Sequence, residues 1–65
     1  MKLTVNGKEM DFPGRMLDEL IRDLDIKGAK IILEINGDIV SPEQFESTRL
    51  HDNDKIEIVR FVGGG

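Results

Sequence analysis

Apolar positions recur along this chain with two different periods, and the places where the period changes divide it into elements. Leu3 and Val5 alternate with Lys2 and Thr4, the spacing of a half-buried strand. Asn6-Gly7 follows, a pair suited to a type I′ turn because both central residues need positive φ. A two-residue turn there pairs Val5 with Lys8, Thr4 with Glu9, Leu3 with Met10, Lys2 with Asp11 and Met1 with Phe12. It collects Met1, Leu3, Val5, Met10 and Phe12 on one face. After Pro13-Gly14 the period lengthens: Leu17, Leu20, Ile21 and Leu24 fall at i, i+3, i+4 and i+7, opposite Asp18, Glu19, Arg22 and Asp23. This predicts an amphipathic helix. Met16 offers no Ser or Thr cap at its start, but Asp18 and Glu19 lie in the first turn, where the helix dipole favours carboxylates. Gly28 is the expected terminator.

Ile31-Ile32-Leu33-Glu34-Ile35 is too short and too β-branched for a second long helix, and Asn36-Gly37 turns it into Asp38-Ile39-Val40. Ser41-Pro42-Glu43-Gln44 has the form of a capping box with Pro at the first helical position, so one helical turn should dock Phe45. Asp52-Asn53-Asp54 reads as a turn with Asn53 left-handed, and Lys55 opens a closing strand. These elements predict an α+β fold: a mixed sheet of four to five strands with one main helix packed on one face and the other face open. In the last strand Ile56 and Ile58 share one parity, Val59 and Phe61 the other. Either the second pair faces water as a docking patch, or a local bulge buries it.

Composition narrows the function. Sixty-five residues make one domain with little room for an internal active site, read as a domain over 1–62 and a glycine tail over 63–65. The absence of Cys removes thiolate nucleophiles and zinc-thiolate sites. A net charge of −4 without a Lys/Arg cluster argues against nucleic acid, whose phosphates need a basic face. With no signal-peptide pattern and no apolar run of bilayer length, the expectation is a cytoplasmic protein that does not engage membranes.

His51, the one histidine, reads as a solvated turn residue rather than a metal ligand or base. Ser41 reads as a cap and Ser47 as a loop residue. Asp52-Asn53-Asp54 lacks the glycine and the downstream glutamate of a calcium loop. The acidic helix positions Asp18, Glu19, Asp23 and Asp25 read as a solvated face. Without GxxxxGK or GxGxxG, any ATP would be held by a partner. No catalytic residue, metal site or bound cofactor is assigned, and the chain is not expected to be an enzyme.

The chemistry gathers at the last stretch, where Ile56-Glu57-Ile58-Val59-Arg60-Phe61-Val62 runs into Gly63-Gly64-Gly65. Glycine lets backbone approach a nucleotide or a narrow channel closely. An α-carboxyl group, with a reference pKa of about 3.3–3.7, is ionised at neutral pH and can attack an activated phosphate. The plain alternative is a frayed end.

This order of elements, with the opening KLTVNGKEM, the helix around Glu19-Leu20-Ile21, Glu34-Ile35-Asn36-Gly37 before Ile39-Val40-Ser41-Pro42, and the ending LHDNDKIEIVRFVGGG, resembles the thiamine-biosynthesis sulfur-carrier family of small ubiquitin-like β-grasp proteins. It departs from that family at Asn53, where Gly is common, at Met16, where Thr or Ser is common, and in a shortened segment between Phe12 and Leu17. The resemblance implies a carrier. An adenylating enzyme of the ubiquitin-activating type joins the terminal carboxylate to AMP, a sulfur donor converts it to a thiocarboxylate, and thiazole synthase accepts the sulfur. On this chain Gly65 would be the covalent position and Gly63 and Gly64 the threading residues. Val59 and Phe61 would be apolar docking residues, with Arg60 as an orienting charge. Two alternatives share the fold: a molybdopterin-type sulfur carrier, and a ubiquitin-like interaction or modifier domain.

Overall fold

Each Asn-Gly pair forms the turn that its backbone preference favours. In the computed structural model, which describes residues 1–26 and 28–61, φ is 49° at Asn6 and 83° at Gly7, and 51° at Asn36 and 89° at Gly37. The first turn joins β1 (Lys2–Val5) to β2 (Lys8–Asp11), and the second joins β3 (Ile31–Ile35) to β4 (Asp38–Val40). β1 and β2 take the expected register from Lys2↔Asp11 to Val5↔Lys8. Reciprocal backbone hydrogen bonds of 2.8 Å between Met1 and Phe12 close the open end of this hairpin.

The closing strand β5 (Lys55–Arg60) inserts between the two hairpins, parallel to β1 and antiparallel to β3. The sheet is therefore mixed and five-stranded, in the order β2-β1-β5-β3-β4. On one face lies α1 (Leu17–Asp23), which buries Leu17, Leu20 and Ile21. They meet Leu3, Phe12, Leu33, Leu50 and Ile56 in a single core, each large side chain contributing about 1.5–3 kcal/mol by leaving water.

The start of α1 satisfies its amides without a capping side chain at Met16. Glu19 Oε1 accepts the N–H of Met16 at 3.1 Å and that of Arg15 at 3.4 Å. The carbonyls of Thr48 and Phe45 accept the N–H groups of Leu17 and Asp18 at 2.9 and 3.1 Å. Such groups have no partner inside the helix and must find one outside it. The four acidic positions are therefore not one solvated face: Glu19 turns back onto the helix start, Asp18 pairs with Arg22 at 3.2 Å, and Asp25 lies past the helix end.

That end comes before Gly28. Asp23 is the last residue of α1, Leu24 caps it, and Asp25 takes the left-handed conformation, φ 58°. The N–H of Asp25 bonds the carbonyl of Arg22 at 3.0 Å, and that of Ile26 bonds the carbonyl of Ile21 at 3.2 Å. This is the double closure of a Schellman end, with Asp in the place usually held by glycine. Gly28, φ 87°, serves a second bend in the connection.

Past β4, the 3₁₀ turn Pro42–Gln44 forms as its sequence suggests. Gln44 Oε1 accepts the Ser41 N–H at 3.2 Å, and Phe45 packs against the core. The turn before β5 does more than reverse the chain. Asn53 is left-handed, φ 70°, and the buried Asp54 carboxylate accepts the His51 N–H and Asn36 Nδ2, both at 2.9 Å.

Candidate functional site

The strand that leads into the glycines is the central strand of the sheet. Its pairing with β3 runs unbroken from Ile35↔Ile56 to Ile31↔Arg60, and the Phe61 N–H continues it by bonding the Lys30 carbonyl at 3.0 Å. A bulge near Val59 is thereby excluded. Val59 and Phe61 are 55% and 52% exposed, on the face that α1 leaves bare.

Register then adds residues that the pattern of the chain did not single out. Ile32 lies opposite Val59 and is 40% exposed, while Ile39 on the edge strand β4 is 71% exposed. Glu34 lies opposite both Glu57 on β5 and Ile39 on β4. The bare face thus presents an apolar patch of Ile32, Val59 and Phe61 beside two directly opposed carboxylates. The signal for Ile32 was present once β3 and β5 were paired, but a run of four apolar residues in five hides its parity.

Arg60 is exposed and pairs with Ile31, so it takes the parity of Ile56 and Ile58 and stands on the helix side of the sheet. The three residues expected to dock a partner therefore straddle the strand. Gly63, Gly64 and Gly65, and the domain end at Val62, lie outside the described residues.

On the flank facing β1, strand pairing among the described residues covers only Thr4↔Lys55 and Val5↔Ile56. Side chains lengthen it at both ends. Asp52 Oδ1 accepts the Lys2 N–H at 2.7 Å. Asn6 uses both ends of its amide on one residue of β5: Oδ1 accepts the Ile58 N–H at 2.7 Å and Nδ2 donates to the Ile58 carbonyl at 3.2 Å. The other turn asparagine acts at the start of the strand, where Asn36 Oδ1 accepts the Lys55 N–H at 3.0 Å.

The helix side holds a cleft of about 420 Å³ that no sequence pattern announced. Ile21, Ile26, Ile31, Pro42 and Phe45 form its apolar walls, and Lys30 and Glu46 stand among its charged lining residues. These residues come from segments distant in sequence, so only the fold brings them together. Among the described residues no group of three His, Cys, Asp or Glu side chains could hold a metal ion, and no helix is long and apolar enough to cross a membrane. His51 is exposed, with Nδ1 at 3.9 Å from Asp54 Oδ2.

Comparison with known proteins places this geometry. Residues 3–65 match the sequence profile of the ThiS family. The sulfur carrier protein ThiS of Bacillus subtilis is 34% identical over 97% of this chain and 98% of its own length. A thiazole synthase of Paramagnetospirillum magneticum is 38% identical over the whole chain, which spans only 20% of that longer protein. The crystal structure of the thiamine biosynthesis protein ThiS from Geobacter metallireducens superposes with a TM-score of 0.82 at 36% identity, covering 100% of both chains. The ubiquitin-like β-grasp arrangement is thus shared along with the sequence, and the chain belongs to the ThiS family.

Proposed function

We propose that this chain, by family a sulfur carrier of thiamine biosynthesis, holds its sulfur as a thiocarboxylate on Gly65. The carboxylate attacks the α-phosphorus of ATP in a partner's site and pyrophosphate leaves, giving an acyl adenylate. A sulfur nucleophile then attacks the carbonyl carbon and AMP departs. Adenylation is needed because a free carboxylate is inert to sulfur nucleophiles. The chain supplies the acyl group, whereas ATP, metal and catalytic side chains belong to an adenylating enzyme of the ubiquitin-activating type.

The observation that carries this reading is the placement of β5: the central strand of the sheet leads through exposed Val59 to exposed Phe61, directly before Val62-Gly63-Gly64-Gly65. Ordering three glycines in a narrow passage costs roughly 3–6 kcal/mol at about 1–2 per residue, so contacts made next to them must offset it. Val59 and Phe61 supply the apolar contacts and Arg60 an orienting charge on the other side of the strand. Thiazole synthase is the proposed acceptor. Support comes from the Paramagnetospirillum thiazole synthase, which contains a stretch similar to the whole of this chain.

Incubation with ATP, an adenylating enzyme and sulfide, followed by intact-mass measurement, tests the proposal. An oxygen-to-sulfur replacement is expected. An unchanged mass under conditions that load another carrier overturns it, and a mass gain by attachment to lysine would mark a modifier instead.

A further inference from the structure

We infer that Asn6 is a positioning residue for the docking residues 59–61: its side-chain amide substitutes for the missing continuation of β1 and holds β5 two-sided as far as Ile58. The inference rests on the carrier reading for its functional arm only. In the parallel pairing the Thr4 N–H bonds the Asp54 carbonyl at 3.0 Å and the Asn6 N–H bonds the Ile56 carbonyl at 2.9 Å. Were β1 to continue, the next bonds would run from the Ile58 N–H to the Asn6 carbonyl and from the Lys8 N–H to the Ile58 carbonyl. The Asn6-Gly7 turn carries the backbone away before either can form. Asn6 Oδ1 and Nδ2 take those two places, at 2.7 and 3.2 Å.

The alternation of an antiparallel pair fixes what this does for β5. Lys55 and Phe61 direct their backbone groups at the β3 side, bonding Asn36 and Lys30, and Glu57 and Val59 share that direction by parity. Ile56, Ile58 and Arg60 point the other way. With Asn6 in place, β5 is paired on one flank only over residues 59–61. Without its side chain that one-sided stretch, which already holds Val59, Arg60 and Phe61, would lengthen back to Glu57 and leave the docking residues further from the last two-sided pairing.

Asparagine therefore has two separable roles here, and Asn6→Gly separates them. Glycine accepts the positive φ of the turn but offers no amide. We expect the Ile58, Val59 and Phe61 amides of N6G to exchange with solvent about tenfold faster relative to those of Leu33 and Ile35, the size that loss of about one net hydrogen bond implies. With an adenylating enzyme and ATP, KM for the carrier should rise about tenfold at nearly constant kcat, since the looser segment must be ordered on docking. Asn36→Gly is the comparison, because it frees the start of the strand and should lower Tm while leaving the Val59 and Phe61 amides and KM in place.

Unchanged exchange at Val59 and Phe61 in N6G would overturn the inference, as would uniform acceleration of every amide, which marks a general loss of stability. Faster local exchange with an unchanged KM would refute the positioning role. If the parent chain is not adenylated at all, the carrier reading fails, while the exchange comparison still decides whether the clamp exists.

Discussion

Ile32 and Val59 face one another across β3 and β5 on the side of the sheet that α1 does not cover. Cross-strand apolar pairs stabilise a sheet modestly, but this pair and neighbouring Phe61 leave much of their surface in water, and energy is released only when another surface covers them. Val59→Asp or Phe61→Asp should therefore weaken binding to an adenylating partner at least tenfold, the loss typical of a central apolar contact. Stability should change by only about 0.5 kcal/mol, as for surface substitutions elsewhere. Titration calorimetry alongside thermal unfolding separates the two effects. A collapse of Tm with retained binding would assign both residues to the core.

Glu34 and Glu57 are also directly opposed on that face. Like charges in this position oppose pairing by roughly 0.2–1 kcal/mol. Glu57→Lys should therefore raise stability by about that amount, visible as a Tm gain of a few degrees. A carboxylate pair beside an apolar patch suits a partner with a basic group at the matching place, so the same change should slow association at low salt and matter little at high salt. Faster association of the variant would remove the basic group from the picture.

Much of this architecture was legible in the chain, and what was missed has identifiable causes. Asn6-Gly7 and Asn36-Gly37 fixed their turns because few other pairs tolerate positive φ twice, and the β1–β2 register followed from that. The helix end was misplaced because glycine is the usual left-handed residue. Asp25 accepts the same conformation once Ile26 can fold back toward Ile21. Strand parity showed that Val59 and Phe61 share a face but not whether the face was bare. That required the β3 pairing, as did the pairing of Ile32 with Val59. The clamp by Asn6 joins residues far apart in sequence, so nothing local could reveal it.

The bend before α1 has almost no tolerance for a side chain. A Cβ at Gly14 would stand 2.5 Å from Phe12 Cζ and 2.8 Å from Glu19 Oε2. Phe12 is fully enclosed in the core, and Glu19 is engaged with the amides of Arg15 and Met16, so neither can move without loss. Gly14→Ala should cost about 1–3 kcal/mol, the range for overpacked sites. Urea unfolding would measure it, and a variant as stable as the parent would show that the bend can shift at no cost.

Gly64 follows β5 in sequence, and the carrier reading asks of it only slimness. Gly64→Val, or removal of Gly65, should leave Tm unchanged yet abolish adenylation, followed by pyrophosphate release. Normal activation of either variant would contradict passage of the tail through a narrow channel.

Asp54 joins the turn before β5 to the β3–β4 turn, with one carboxylate oxygen on Asn36 Nδ2 and the other on the His51 N–H, each at 2.9 Å. Both partners are satisfied by a group that is itself 8% exposed. Removing the carboxylate leaves the Asn36 amide and the His51 N–H without their part-buried bonds, and a part-buried donor without an acceptor costs about 1–3 kcal/mol. Asp54→Ala should lower stability by about 2–4 kcal/mol with an unchanged denaturant slope. Asn36→Ala removes one partner of the same network, so the double variant should lose less than the sum of the single losses. A coupling of about 0.5 kcal/mol or more is expected for groups in direct contact. Strict additivity in that cycle would mean that Asn36 and Asp54 stabilise the chain independently, through their separate bonds to the Lys55 and His51 amides.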